Sequence, residues 1–158
     1  MSDVLLIDQN MLGQLAAEAA SAPRLRKNRN FHQSNEDLCH RMLNALQPGT
    51  YVQPHRHLDA VKEETILVLS GRFGCLVFDD NGKVVQACEL SAGGAAMGIN
   101  IKPGTFHSIV ALAPNSVFFE SKQGPYTPIA EAEKAAWAPA EGAPECAAYL
   151  TFMLSHFA

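Results

Sequence analysis

The sequence predicts a mainly β protein, an antiparallel sandwich or barrel of jelly-roll type with one short helix at each end. Between residues 41 and 122, short runs rich in β-branched and aromatic residues alternate with turn signals. On either side of that stretch, apolar residues recur instead at three- and four-residue intervals. The 158 residues, 47% hydrophobic and 18% charged, suit one domain that buries roughly 70% of the surface of its unfolded chain.

Residues 1–40 comprise a helix and a basic connector. Met11, Leu12, Leu15, Ala16 and Ala19 share one helical face over 8–20, Asp8 stands at the N-cap position, and Ser21-Ala22-Pro23 ends the run. The next segment gathers Arg24, Arg26, Lys27 and Arg29, a third of the twelve basic residues, into six positions. Two readings fit this cluster: a solvated connector, or contacts to an anion or phosphate beside a binding cleft.

Residues 41–122 form the expected barrel, with strands at 41–46, 50–57, 64–70, 73–79, 83–90, 97–102, 107–112 and 116–122. Pro48-Gly49, Gly71, Asp80-Asn81-Gly82, Gly93-Gly94, Pro103-Gly104 and Pro114-Asn115 separate them. Asp80-Asn81-Gly82 marks a hairpin, because Asn and Gly accept the positive φ of tight hairpin turns. About eight such strands satisfy a jelly roll.

Residues 123–158 carry a Pro-rich loop with Trp137, then a helix starting near Pro144 with Cys146, Ala147, Leu150, Met153, Leu154 and Phe157 at helical spacing. Its apolar stripe fits packing on the chain's own barrel, or a subunit contact.

A net charge of −4 without a basic face gives no nucleic-acid footprint. No run approaches the roughly 20 apolar residues that span a bilayer. Cys39, Cys75, Cys88 and Cys146 form no C-x-x-C pair and read as reduced, packed thiols. The first ten residues lack the cationic n-region and long apolar core of a secretory signal, so the expected location is the cytoplasm.

The chemistry concentrates in GTYVQPHRHLDAVKEETILVLSG. On a strand, side chains two apart share a face, so His55 and His57 project together and supply half a metal site. Glu64 precedes an apolar run, where an unpaired carboxylate would be costly and a metal would remove the cost. His107 opens a later apolar strand behind the Pro103-Gly104 turn.

These residues resemble a known family. Gly49, then His55-x-His57, Glu64 and Gly71, are similar to the first cupin motif, and Pro103-Gly104-Thr105-Phe106-His107 to the core of the second. The resemblance implies a double-stranded β-helix barrel in which His55, His57, Glu64 and His107 ligate one divalent cation. Two departures stand out: the gap between His57 and Glu64 is two or three residues longer than the usual spacing, and Ala111 replaces the closing Asn of the second motif. The longer gap leaves Glu63 as an alternative carboxylate. LIDQNML, SAPRLRKNRNFHQS, LNALQPGTYVQPHRH, FDDNGKV, KQGPYTP and WAPAEG together resemble the WbuC family of cupin-fold metalloproteins over nearly the full length. Members of that family are often encoded near surface-polysaccharide biosynthesis genes.

Three imidazoles and a carboxylate suit Fe, Mn, Ni, Cu or Zn and leave coordination positions open for water or substrate. Regular strand parity places Tyr51 and Gln53 beside the histidines. Phe118, Glu120 and Lys122 share a second face, which either lines the barrel mouth or carries an ion pair on the outside. Tyr51 and Glu120 are the candidate acid and base, and the Arg24, Arg26, Lys27 and Arg29 cluster is a candidate pyrophosphate contact. His32 and His40 read as polar packing residues. The expected function is that of a metal-dependent isomerase or epimerase acting on a sugar or sugar nucleotide in surface-polysaccharide biosynthesis. A metal-dependent dioxygenase and a non-enzymatic carbohydrate- or acid-binding module are the alternatives. The expected partners are a small-molecule ligand and a second copy of the chain in a homodimer.

Overall fold

The computed structural model describes residues 3–157. Helix α1 spans Gln9–Ser21, and the Asp8 side chain accepts a hydrogen bond from the Met11 backbone N–H at 2.9 Å, as its N-cap position predicts. Met11, Leu12, Leu15, Ala16 and Ala19 are its buried face. Asp8→Ala should therefore cost about 1 kcal/mol of unfolding free energy in a urea titration.

Eight strands follow: β1 (Arg26–Asn30), β2 (Cys39–Leu46), β3 (Glu64–Ser70), β4 (Arg72–Phe78), β5 (Val84–Ser91), β6 (Gly98–Ile101), β7 (Phe106–Ala111) and β8 (Ser116–Gln123). They form a five-stranded sheet in the order β1-β2-β8-β3-β6 and a three-stranded sheet in the order β5-β4-β7, with all pairings antiparallel. Leu46, Ile66, Val68 and Phe118 of the larger sheet meet Phe73, Cys75, Leu90, Ile109 and Ala111 of the smaller one in a shared core.

Both outer faces carry cover. Helix α1 packs on Leu43, Ala45 and Val117 of the five-stranded sheet. The C-terminal segment, with Ala135, Ala138, Leu150 and Met153, packs on Leu76, Phe78 and Val110 of the other. Strand β7 is buried at every position for that reason, and only His107 and Ser108 interrupt the apolar run of its sequence FHSIVA. Helix α2 spans Cys146–Leu154, close to the start near Pro144 that the sequence predicts.

The hairpin between β4 and β5 forms at the expected turn. Asp79 Oδ1 accepts from the N–H groups of Asn81 and Lys83 at 2.9 Å each, and Gly82 takes a φ of 87°. Gly71, at φ 71°, joins β3 to β4 where any Cβ would collide with Ser116.

Two expectations are corrected. The basic connector is an edge strand, with Arg26 opposite Leu46 and Asn30 opposite Met42. Backbone pairing makes it a strand while its side chains stay largely in solvent, so no apolar periodicity announces it. Conversely, 50–57 is no strand beyond an isolated bridge at His55. Pro54 lacks a donor there, and side chains satisfy the backbone instead: Ser108 Oγ donates to Val52 O at 2.7 Å and Arg26 to Tyr51 O at 3.0 Å. Among the described residues, no helix is long and apolar enough to cross a membrane.

Candidate metal centre

The irregular 50–57 segment runs antiparallel to β7 where the two meet, and reciprocal backbone hydrogen bonds between His55 and His107, 3.1 and 2.9 Å long, lock the two residues together. Both imidazoles are oriented alike. His55 Nδ1 faces the carbonyl of Gln53 at 3.0 Å and His107 Nδ1 the carbonyl of Thr105 at 2.9 Å, so each Nδ1 carries the proton and donates. Nε2 is then the ligand atom that each ring offers, on His107 in hydrogen-bonding reach of Glu64, and this is the arrangement by which metal-binding histidines are aimed.

Glu64, the first residue of β3, completes the group. Its Oε1 lies 3.0 Å from His57 Nε2 and its Oε2 lies 2.9 Å from His107 Nε2. One ligand atom from each of His55, His57, Glu64 and His107 falls within 4.8 Å of all the others. Glu64 is the carboxylate of the group; Glu63 is exposed and accepts a hydrogen bond from Asn100 Nδ2 at 3.2 Å instead. The alternation of burial along β3 already holds at Glu63, just before the strand, and separates these neighbours onto opposite sides.

The electrostatics suit a cation. Burial alone would raise the Glu64 carboxyl, but hydrogen bonds from His107 and His57 and the charge of Lys122 hold it well below the usual carboxylate range. Burial, reinforced by His107, depresses His55 to about 4, so its Nε2 lone pair stays available. Burial also opposes protonation of His107, but its hydrogen bond to Glu64 outweighs this and raises it. The donor set of three nitrogens and one anionic oxygen fits a divalent transition metal, with coordination positions to spare.

A cavity of about 170 Å³ lies beside this group, between the sheets. Val52, Ile66, Ile109 and Phe118 supply apolar wall, and Asn44, Glu120 and Lys122 a polar end. Lys122 Nζ bridges two carboxylates, Glu120 Oε1 at 2.9 Å and Glu64 Oε1 at 3.3 Å, while Asn44 Nδ2 donates to Glu120 Oε2 at 2.8 Å. Burial pushes the Glu120 carboxyl up despite Lys122. Burial works against the Lys122 charge, but its two carboxylate partners raise it. Phe118, Glu120 and Lys122 thus line the interior, and the outside ion pair is excluded.

Tyr51 is elsewhere. Its hydroxyl donates to Pro139 O at 2.7 Å and its ring joins the cluster beneath the C-terminal segment, because the irregular backbone breaks the parity that would align it with the histidines. Arg24 and Arg26 are both paired with Glu141, Arg26 at 2.8 Å, and Lys27 and Arg29 are exposed on β1. Of the four, Arg26 alone lines the cavity. His32 and His40 stack with ring centroids 4.0 Å apart, as packing residues do. Asn44 carries no sequence signal; its register opposite Phe118, in the sheet that also carries Glu120, brings it into the cavity.

The family model described as "Domain of unknown function (DUF6016)" matches residues 7–90, more than half of the chain. No curated protein matches it. Among solved structures, it is similar to KdgF from Halomonas sp. at 17% identity and a TM-score of 0.52, covering 67% of this chain and 84% of that one. It is also similar to the conserved SPY1581 protein of unknown function from Streptococcus pyogenes, at 11% identity and a TM-score of 0.53, covering 80% and 93%. Oxalate oxidase in complex with the substrate analogue glycolate aligns at 15% identity and a TM-score of 0.52, covering 70% and 57%. Likeness at these identities establishes the fold, a cupin jelly roll.

Proposed function

The chain belongs to the family described as "Domain of unknown function (DUF6016)", whose description assigns no chemistry, and we propose that it is a metal-dependent cupin enzyme of isomerase or epimerase type acting on a sugar or sugar derivative. The observation that carries this reading is Glu120, a buried carboxylate in the same cavity as His55, Glu64 and His107. A divalent ion, when bound by the four ligands, supplies Lewis-acid polarisation of a carbonyl or hydroxyl oxygen. Glu120 is then the group that removes and returns a proton on the substrate carbon, and Lys122 and Asn44 hold its carboxylate in place. The apolar walls exclude water from the exchange.

The cavity volume of about 170 Å³ favours a small substrate. Sites for drug-sized ligands run from about 300 Å³ upward, so the nucleotide of a sugar nucleotide would lie outside. The resemblance to the WbuC family, with its link to surface polysaccharide, supports a sugar by association.

Incubating metal-loaded protein with candidate aldoses, ketoses and sugar acids in D2O, followed by NMR, tests the proposal. Deuterium enters a substrate C–H bond in the wild type, and Glu120→Gln slows that exchange by about 100-fold or more with the metal content unchanged. Equal exchange in the variant would remove Glu120 from the chemistry. Oxygen consumption without deuterium incorporation would replace the reading with a dioxygenase, and binding without either, with a non-enzymatic module.

A further inference from the structure

The loop Leu58-Asp59-Ala60-Val61-Lys62-Glu63 holds the residues by which the gap between His57 and Glu64 exceeds the usual cupin spacing. Its burial is inverted. Leu58 is 49% exposed and Val61 57%, yet Lys62 is 8% exposed. A tight turn produces this, with Lys62 N–H donating to Asp59 O at 3.0 Å and Val61 N–H to Asp59 Oδ1 at 3.1 Å.

Buried lysines are ordinarily paired with a carboxylate, since an uncompensated ammonium is expensive to desolvate. Lys62 has no carboxylate in direct contact. Among the described residues, its one side-chain hydrogen bond runs from Nζ to Thr127 Oγ1 at 3.2 Å, and the carboxylate that feels its charge, Glu133, acts on it from beyond ion-pair distance while accepting from the Leu58 and Ala130 N–H groups. An ammonium has three donors, so two are left to serve a ligand.

Lys62 borders a second cavity of about 110 Å³, which also touches His55, His57, Lys122, Tyr126 and Thr127. This cavity lies against the metal ligands, and no Asp or Glu is among its lining residues. The 123–129 segment forms one wall, anchored by Gly124 N–H to Leu38 O at 3.0 Å and Tyr126 N–H to Asn35 O at 2.7 Å. Because Lys122 is already shared between Glu64 and Glu120, Lys62, whose ammonium touches no carboxylate, supplies the positive charge available to a ligand.

We infer that this second cavity is an oxyanion subsite, in which Lys62 receives a carboxylate or phosphate group on a small molecule whose other end reaches His55 and His57. That the molecule is the enzyme's substrate rests on the function proposed above; the anion site itself rests on Lys62. The lengthened loop delivers this lysine to the site.

The test is a calorimetric titration and thermal melt of the full chain, both as purified and after chelator treatment. The ligands are inorganic phosphate, acetate and, as a neutral control, glycerol. Phosphate or acetate binds the wild type and raises its melting temperature, and the stronger of the two identifies the oxyanion. Lys62→Met weakens that binding about tenfold or more, Lys62→Arg retains it, and Lys27→Met, on the exposed edge strand, leaves it unchanged. In the absence of anion, Lys62→Met melts no lower than the wild type, because a buried charge without a contacting carboxylate has been removed. Should that variant fail to fold, Lys62→Gln makes the same comparison. Absence of anion binding to the wild type, or equal binding by the Lys62 variants, overturns the inference. Failure of the metal reading shows separately, as absence of metal by elemental analysis of the same purified chain.

Discussion

Replacing His55 and His57 together with alanine is expected to take elemental analysis from one divalent ion per chain to none, while the barrel still unfolds cooperatively. The variant loses two of the three imidazole ligands, and the remaining pair, His107 and Glu64, is left 2.9 Å apart in mutual hydrogen bonding. Loss of groups that merely orient ligands costs about 10- to 100-fold in metal affinity, so loss of two ligands exceeds that. The fold survives because the links between His55 and His107 are backbone hydrogen bonds, which alanine keeps. Glu64 retains His107 and Lys122 as partners. Full retention of metal by this variant would place the ligands elsewhere.

The same site gives a pH dependence with a definite sign. A protonated imidazole cannot ligate, so proton and metal compete. Glu64 raises His107 above the ordinary histidine value, so in the chelator-treated protein this ring gains its proton well before His55 as pH falls. Metal affinity therefore declines with acidification from a pH higher than an ordinary histidine would set. His55, at about 4, contributes to the decline only at much lower pH. Titrating the metal with a competing chelator across that range measures the effect.

Phe73→Ala is expected to have the largest effect on stability, a loss of about 3–5 kcal/mol in urea denaturation. Phe73 has no exposed surface and meets Phe118 edge to face, with centroids 5.1 Å apart, where the two sheets pack together. Deleting its ring removes a wall-to-wall contact that the flanking strands cannot close without moving. Phe118 also lines the cavity, so the hole would reach the site. Phe152→Ala, at a position 43% exposed on α2, should change stability by about 0.5 kcal/mol or less. Equal effects at the two positions would show that the sheets do not share this core.

How far the sequence could be read depended on how local each feature is. Helix α1 was legible in full, because Asp8 caps its own helix and the buried face repeats every three or four residues. The β4–β5 hairpin was legible because its turn residues bond one another. The Phe118, Glu120 and Lys122 face followed from strand alternation, though its direction, inward rather than outward, did not. Strand β1 escaped because an edge strand is defined by hydrogen bonds to a partner sixteen or more residues away along most of its length, and RKNRN contains no apolar residue to mark it. Tyr51 was misplaced because Pro54 and side-chain hydrogen bonds replace the regular ladder that parity assumes.

The elements with a local periodicity and the three histidines of the candidate metal centre could be read along the chain, because their spacing and turn residues are properties of short segments. Packing of distant segments sets three further features: Glu64 rather than Glu63 joins the histidines, Arg26 pairs with Glu141, and Lys62 turns inward while Val61 turns out. The reason is physical: which side chain is desolvated, and which charge finds a partner, depends on segments far apart in the chain and is settled only when the sheets close on one another.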